Sequence, residues 1–275
     1  MTRIALFQST SGIDPAANAA ALTDAIAQAS AGGAEMLFTP EMTGLLDRDS
    51  ARAAKVLRSE DEDQVLFAAK AAAARQRIWV HIGSLAVLVD DGKVANRSFV
   101  IDREGRVRAT YDKIHLFDVD LPTGESWRES NVYSAGTGVT LVNGTPVGKL
   151  GLTICYDLRF PGLFARLAES DADVITVPAA FTVPTGNAHW HVLLRARAIE
   201  AGLFVVAAAQ VGHHEDGRNT FGHSLVVDPW GEVLLDMGQE KGVGFADVDL
   251  KRISDVRSRI PALNHRRPIP DAVSL

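Results

Sequence analysis

The sequence of 275 residues contains one cysteine, Cys155. A single cysteine excludes disulfide bonds within the chain, which small secreted proteins commonly need. The sequence also lacks an apolar run of the roughly 18 residues that a membrane-spanning helix requires. Its longest run, at residues 204–209, is typical of a buried strand. The first residues predict a short strand and no secretory signal. We therefore expect a cytoplasmic protein with no membrane partner.

Basic residues are too few for a nucleic-acid-binding surface. Lys and Arg number 28 against 34 Asp and Glu, the net charge is −6, and the pI is about 5.7. Arg266 and Arg267 are adjacent, but two residues do not form a basic stripe, so we expect no nucleic-acid partner. The pairs His189-x-His191 and His213-His214 lack a third ligand at suitable spacing, so we expect structural or surface roles, no metal and no cofactor.

The predicted elements repeat along the chain. The first half contains strands at residues 3–8, 34–40 and 78–85, with helices at 15–30 and 62–76. The second half contains strands at 147–155, 172–178 and 203–210, with helices from 161 and at 188–201. In each half the middle strand ends in proline, and an Asp-x-x-Gly turn closes a hairpin, at residues 99–107 and 225–233.

This repeat predicts an α/β fold of two mixed sheets related by a pseudo-twofold axis, with the helices outside. No linker rich in Pro, Gly or Ser separates the halves, and 47% of the residues are hydrophobic, so residues 1–275 are expected to form a single domain. Ligands of α/β sheets collect at the carboxyl ends of strands. This rule predicts that Cys155, Glu41 and the segment after Pro178 lie close together.

Cys155 stands where an apolar strand gives way to a charged turn that contains Asp157, Arg159 and Pro161. A lone cysteine is most often a small buried hydrophobe. The charged strand exit and the following helix N-terminus instead favour a reactive thiolate with a lowered pKa. On position alone, Glu41 is either a solvated loop charge or a catalytic base, and Lys113 is most often a surface charge.

Three segments together resemble the three catalytic blocks of the nitrilase superfamily of carbon–nitrogen hydrolases, in the same order and spacing. They are Thr39-Pro40-Glu41-Met42, Tyr111-Asp112-Lys113-Ile114-His115-Leu116-Phe117 and Ile154-Cys155-Tyr156-Asp157-Leu158-Arg159-Phe160-Pro161. The resemblance extends from Ile4 to about Arg267. It implies an α-β-β-α sandwich and a Glu41–Lys113–Cys155 triad. It also implies a second glutamate, for which Glu129 is preferred to its neighbour Glu125, and which would orient Lys113 or the substrate.

Amide hydrolysis explains why these residue types belong together. Cys155 would attack the carbonyl carbon, and Glu41 would move the protons. Lys113 and a backbone N–H, that of Tyr156, would bind the oxyanion. The expected partners are therefore a small amide and water.

The resemblance is strongest to small amidases that act on ω-amides of 2-oxo dicarboxylic acids. Two subtypes compete, and deaminated glutathione amidases are preferred to ω-amidases acting on 2-oxoglutaramate. An arginine fork at Arg159 would hold the substrate carboxylate, unless it forms a structural ion pair with Asp157. The other predicted substrate-binding residues are Tyr156, Ala180, Thr182 and Phe117. A nitrilase, a carbamoylase and an inactive binding protein of this fold remain alternatives.

The helix that contains residues 190–200 predicts an association between copies. Its apolar residues pack on the sheet, and the resemblance implies that it also lies at a dimer interface. We therefore expect a homodimer or higher homo-oligomer, with Arg195 or Arg197 reaching Glu200 across a twofold axis.

Overall fold

The computed structural model describes residues 1–89, 92–120, 124 and 126–273. The strands are β1 (Thr2–Gln8), β2 (Met36–Phe38), β3 (Trp79–Leu88), β4 (Val94–Ile101), β5 (Val107–Asp112), β6 (Asp118–Asp120), β7 (Ser126–Arg128), β8 (Tyr133–Ser134), β9 (Leu141–Thr145), β10 (Gly148–Leu152), β11 (Val174–Thr176), β12 (Phe204–Ala207), β13 (Val211–His213), β14 (Asn219–Phe221), β15 (Leu225–Val227), β16 (Val233–Asp236) and β17 (Gly242–Val248). The α-helices are α1 (Pro15–Ala31), α2 (Ser50–Ala53), α3 (Gln64–Gln76), α4 (Pro161–Glu169), α5 (Val183–Ala201) and α6 (Lys251–Arg259), and short 3-10 helices include Glu129–Asn131 and Cys155–Arg159.

Two mixed sheets carry the repeat. The first sheet has the order β17-β1-β2-β3-β4-β5, with β8 beside β4, and the second has the order β16-β15-β12-β11-β10-β9. In each sheet three parallel strands form the centre, β1-β2-β3 in one and β10-β11-β12 in the other. An antiparallel pair follows on one side, and one antiparallel strand, β17 or β9, flanks the other side. The predicted pseudo-twofold fold is confirmed.

The two sheets face each other and the helices cover their outer faces. Side chains alternate along a strand, so Leu6 packs between the sheets while its neighbour Ala5 packs with α1 and α3. Thr176 of the second sheet lies against His81 of the first, with Oγ1 3.5 Å from Nε2. On the outer face of the second sheet, Gly151 lies against Leu167 of α4. The layers are thus helix, sheet, sheet and helix.

Both predicted Asp-x-x-Gly turns are present. Gly105 N–H donates to the Asp102 carbonyl at 2.9 Å, and Gly231 N–H donates to the Asp228 carbonyl at 2.9 Å. Each aspartate carboxylate also accepts backbone N–H groups from within its own turn. The matching turns support a true structural repeat, because the same capping chemistry recurs at the same place in each half.

Several predicted boundaries were wrong. The strand predicted at residues 147–155 ends at Leu152, and Cys155 already belongs to a 3-10 helix. The helix predicted from residue 188 begins at Val183, because Pro184 suits its first turn. The strand-proline segments are also shorter than predicted, since only three residues of each pair with neighbours.

Two arginines of α5, Arg195 and Arg197, have hydrogen-bond partners within their own chain. Arg197 is buried; its Nη1 lies 2.9 Å from Glu200 Oε2 of the same chain, and its guanidinium donates to the Leu158 carbonyl. Arg195 Nε donates to the Gly231 carbonyl at 2.8 Å. The predicted contact of Arg195 or Arg197 with Glu200 of another copy stays a prediction, and within one chain an i, i+3 pair already joins Arg197 to Glu200.

In the part of the chain that the structure describes, no helix is both long enough and apolar enough to cross a membrane.

Candidate active site

Strand exits from both sheets bring the predicted catalytic residues together. Glu41 follows β2, Lys113 follows β5, and Cys155 follows β10. All three side chains are buried, with whole-residue exposures of 5%, 2% and 9%. Gly83 lets the two halves approach here. A Cβ at Gly83 would lie 2.1 Å from the Thr39 carbonyl oxygen and 2.4 Å from Pro178.

Lys113 is the centre of the cluster. Its Nζ lies 3.0 Å from Glu41 Oε1, 2.8 Å from Glu129 Oε2 and 3.1 Å from Glu129 Oε1. Gly136 fixes the backbone of this segment by donating its N–H to the Lys113 carbonyl at 2.8 Å. A Cβ at Gly136 would lie 2.0 Å from the Asp112 carbonyl oxygen, so glycine is required. Glu129 thus lies where it can orient Lys113, whereas its rival Glu125 lies outside the described residues.

Neutral donors complete the binding of the two carboxylates. Asn96 Nδ2 donates to Glu41 Oε1 at 2.9 Å and to Glu129 Oε1 at 3.2 Å. The Ala180 N–H donates to Glu41 Oε2 at 3.0 Å, and the Phe117 N–H donates to Glu129 Oε2 at 2.6 Å. Two buried carboxylates with one ammonium leave one net negative charge, which these donors stabilise.

Cys155 has a backbone conformation that residues other than glycine rarely adopt. Its φ is 49°, and its N–H donates to the Pro178 carbonyl at 2.8 Å. Such local strain is common where a reactive side chain must be held in one position. Within the described residues the next N–H, that of Tyr156, donates to no acceptor. It is therefore available for an oxyanion beside the sulfur.

The charges in the cluster make the resting thiol neutral. Burial alone would raise the pKa of Glu41, but the Lys113 ammonium and a hydrogen bond from Cys155 outweigh it and hold that pKa below its ordinary value. Burial and the adjacent Glu41 carboxylate raise the pKa of the Cys155 thiol well above its ordinary value. The expectation of a thiolate stabilised by a helix terminus was wrong, because a second net negative charge in this buried site is unfavourable.

Lys113 remains charged despite its burial. Burial lowers the pKa of a lysine, but the Glu129 and Glu41 carboxylates raise the pKa of Lys113 well above its ordinary value. The cluster thus combines an ionised carboxylate that can accept a proton, a neutral thiol beside it, and a permanent cation.

Asp157 ties the segment of Lys113 to the segment of Cys155. Its fully buried carboxylate accepts from the Tyr111 hydroxyl at 2.7 Å, the Ile154 N–H at 2.9 Å and the His115 N–H at 3.1 Å. Arg159 does not pair with it, so the alternative of an Asp157–Arg159 ion pair was wrong. The Asp157 carboxylate points back to the start of its own turn.

Arg159 instead lies among aromatic rings beside the nucleophile. Its guanidinium carbon is 5.9 Å from the centroid of the Tyr156 ring and 5.5 Å from that of Phe181, and Nη1 is 3.2 Å from His189 Nδ1. Arg159 is only half-buried. A planar cation held by stacking keeps its edge available for an anionic group.

The other predicted substrate-binding residues fall into two sets. The ring of Phe117 meets that of Tyr156 edge-on, with centroids 5.1 Å apart, and both are half-buried beside the cluster. Ala180 already uses its N–H on Glu41, and the Thr182 hydroxyl lies 2.8 Å from the Thr185 hydroxyl. Their contact with substrate stays a prediction, and Tyr156 and Phe117 have the better geometry for it.

Asn96 was missed because its role depends on contacts with residues far along the chain. Its one local signal is a polar side chain between Ala95 and Arg97 in a strand that is otherwise mostly apolar, where it is fully buried.

The histidines of the two sequence pairs have different surroundings. His214 is buried and bonds to Ser11 and Thr220, as a structural histidine would, whereas His191 lies beside His223 and Asp236.

Known proteins are similar to this chain over most of its length. Residues 3–258 match the family model described as "Carbon-nitrogen hydrolase". The protein of Yersinia enterocolitica named "Deaminated glutathione amidase" is 37% identical over 273 residues, which cover 98% of this chain and 94% of that protein.

Two solved structures are also similar. The crystal structure of the C. elegans NitFhit protein has a TM-score of 0.89 at 37% identity; the match covers 97% of this chain but only 65% of that longer one. A mutant of the amidase from Nesterenkonia sp. AN1 carries the acetamide moiety of fluoroacetamide on its active-site cysteine. It has a TM-score of 0.82 at 26% identity, with 97% of this chain and 94% of that chain covered.

Proposed function

Because the chain belongs to the carbon–nitrogen hydrolase family and is an amidase, we propose that it hydrolyses a small amide with a carboxylate on its acyl portion. The leading substrate is deaminated glutathione, in which the amide belongs to a 2-oxo dicarboxylic acid. One observation carries the catalytic part of this proposal: the Lys113 ammonium lies 3.0 Å from Glu41, and the Glu41 carboxylate is close enough to the Cys155 thiol to raise its pKa.

Acylation begins with transfer of the thiol proton to Glu41. The sulfur of Cys155 attacks the amide carbon, and the carbonyl oxygen becomes an oxyanion. Lys113 Nζ and the unused Tyr156 N–H donate to that oxyanion. The protonated Glu41 then gives its proton to the departing amine, the carbon–nitrogen bond breaks, and a thioester on Cys155 remains.

Deacylation uses the same groups in reverse. Glu41 takes a proton from water, the resulting hydroxide attacks the thioester carbon, and the sulfur leaves with the proton that Glu41 returns. Glu129 and Asn96 touch neither sulfur nor carbonyl in this scheme. They hold Glu41 and Lys113 in place and are positioning residues.

Arg159 is proposed to set the preference for carboxylated substrates. Its guanidinium stacks on Tyr156 and Phe181 near Cys155, so two N–H groups can meet a carboxylate side by side. The 2-oxo acid amides of both candidate subtypes carry such a carboxylate. The names of the relatives favour deaminated glutathione over 2-oxoglutaramate.

A panel of amides tests the substrate class. Product release is measured for deaminated glutathione, 2-oxoglutaramate and neutral amides of similar length, with the wild type and with Arg159→Lys. Loss of the planar fork should lower kcat/KM for the carboxylated amides about tenfold more than for the neutral ones. Equal losses for all substrates would refute the role of Arg159, and a preference of the wild type for neutral amides would refute the proposed substrate class.

We also propose a homodimer and a cytoplasmic location. Val192 and Ile199 of α5 are 67% and 53% exposed, and Trp230 on the neighbouring hairpin is 51% exposed. A contiguous apolar surface of this kind is typical of an interface between copies. Sedimentation showing only a species of one chain's mass, 29.5 kDa, at micromolar concentration would refute the dimer.

The cytoplasmic location rests on the single cysteine, which suits a reducing compartment. The shared core of the two sheets also supports a single domain over residues 1–275.

A further inference from the structure

A second cluster of chemically versatile side chains lies apart from the Cys155 site. His191 comes from α5, His223 precedes β15, and Asp236 ends β16. One ligand atom of each lies within 4.8 Å of the others. The amidase mechanism uses none of these groups.

The two imidazoles converge on one carboxylate. His191 Nε2 lies 3.0 Å from Asp236 Oδ2, and His223 Nδ1 lies 2.9 Å from Oδ1 and 3.2 Å from Oδ2. Two neutral imidazoles and a carboxylate form a donor set that Zn²⁺ and related divalent transition metals bind. With metal–ligand bonds of about 2.1 Å, ligands around a tetrahedral ion lie roughly 3.4 Å apart, close to the observed separations from Asp236.

The backbone around His223 is held firmly. His223 has a φ of 55°, its N–H donates to the Gly238 carbonyl at 2.7 Å, and its own carbonyl accepts from Trp190 Nε1 at 2.8 Å. The His223 ring stacks on Phe221 with centroids 4.4 Å apart. Two of the three ligands are therefore preorganised, because the Gly238 N–H also donates to Asp236 Oδ1 at 2.9 Å, as the partners of metal-binding carboxylates do.

The third ligand can adjust and the site is open to solvent. The side chains of His191, His223 and Asp236 are 36%, 23% and 33% exposed. His191 lies on the surface of α5, so a rotation of its side chain can bring its nitrogen closer to that of His223. Water can fill the remaining coordination position, as in open zinc sites.

We propose that His191, His223 and Asp236 bind one divalent transition-metal ion, Zn²⁺ being the expected one, separately from the catalytic cluster. On binding, the ion takes the place of the N–H protons between Asp236 and the two imidazoles, and each neutral imidazole then carries its one proton on the other ring nitrogen. The bound ion joins α5 to the hairpin of β15 and β16 and stabilises this face of the second sheet. The ion takes no part in amide hydrolysis.

Metal titration of the full-length, tag-free Cys155→Ala protein tests this proposal. This variant has no thiol, so no binding can come from sulfur. Zn²⁺ binding is measured by calorimetry, and Co²⁺ binding by its visible absorption, which reports nitrogen and oxygen coordination. We expect one equivalent of either ion per chain and a higher Tm in the presence of Zn²⁺, since a ligand of the native state stabilises it.

Further variants on that background locate the site. Because loss of a ligand's hydrogen-bond partner alone costs about 10–100-fold in metal affinity, His191→Gln and Asp236→Asn should each weaken binding at least 100-fold. His191 is on a helix surface, so its variant should remain folded. The control is His213→Gln, an exposed histidine outside the cluster, which should bind Zn²⁺ as the parent does. Unchanged affinity in His191→Gln and Asp236→Asn, or no saturable binding by the parent, would overturn the proposal.

Discussion

The two halves of the repeat present different chemistry at equivalent strand exits. Thr39 N–H donates to the carbonyl of a residue in β3, and Val177 N–H makes the corresponding bond to β12. These bonds align the two strand-proline segments and place Glu41 opposite Ala179 in the repeat. The first half therefore carries a carboxylate where the second carries only a methyl group.

The strand registers extend the comparison, because they align Ser98 with Ser224 and Tyr111 with Met237. Asn96 and Lys113 lie two residues further from the hairpin turn, and the Lys113 N–H donates to the Asn96 carbonyl at 3.0 Å. Counted from the turns, the corresponding positions of the second half are Gly222 and Gln239. The cation and the amide that hold the carboxylates belong to the first half alone.

At the position of the nucleophile, the second half carries the reactive side chain and the first half does not. The parallel strand registers align Leu6 with Leu152, so Ser9 is the counterpart of Cys155. Ser9 is buried, and its hydroxyl lies 3.2 Å from Gln210 Oε1. One site has therefore been built from two unequal halves: the first supplies the base and the cation, and the second supplies the sulfur.

The largest expected effect comes from the nucleophile. Cys155→Ala should lower kcat by about 10⁴-fold or more, because no other group can form the thioester. Its matched control is Ser9→Ala, which should keep most of the activity, since one buried hydrogen bond contributes only about 1 kcal/mol to stability. Steady-state product release and the unfolding transition are measured for both. Substantial turnover by Cys155→Ala would end the thiol mechanism.

Lys113→Met should lower kcat about 10²–10³-fold by removing an oxyanion donor. It also leaves Glu41 and Glu129 buried without their cation, a change that typically costs roughly 3–5 kcal/mol of unfolding free energy. Adding Glu129→Gln restores the net charge of the cluster. The double variant should regain stability in denaturant unfolding without regaining activity. Full recovery of activity would show that Lys113 acts only structurally.

Asn96→Ser should have the smallest effect, a loss of about tenfold or less in kcat/KM at neutral pH. The Asn96 hydrogen bond favours the ionised form of Glu41 and so contributes to its low pKa. Without that bond the pKa of Glu41 rises, and the base becomes protonated at a higher pH. The acid limb of the kcat/KM profile should therefore move to higher pH. An unmoved acid limb would contradict this role of Asn96.

Sequence reasoning was most successful where the signal is local. Hydrophobic alternation, prolines after strands and Asp-x-x-Gly turns predicted the two sheets, and the three motif blocks predicted which residues meet. The predicted direction of the Cys155 pKa shift was wrong. The shift depends on burial and on the distance to Glu41, and neither can be read from the residues around Cys155. The cluster of His191, His223 and Asp236 was missed for the same reason: its members come from three elements that meet only in the folded chain.

The central claim is that Glu41 of the first half moves the protons for Cys155 of the second. Glu41→Gln is mixed with an amide substrate or with an activated ester of the same acid, and its intact mass is followed. A glutamine cannot accept the thiol proton, protonate a departing amine or activate water. Without the Glu41 carboxylate, which raises the pKa of the Cys155 thiol, the thiol beside Lys113 can lose its proton to solvent, and the ester's leaving group needs no proton. The exposed Glu35→Gln is the control and should behave as the wild type does.

The account predicts that the ester acylates Cys155 of Glu41→Gln and that the thioester then accumulates to nearly one acyl group per chain, while the amide gives no adduct and no product. Rapid turnover of the amide by Glu41→Gln, or loss of the ester-derived thioester at the wild-type rate, would contradict the claim.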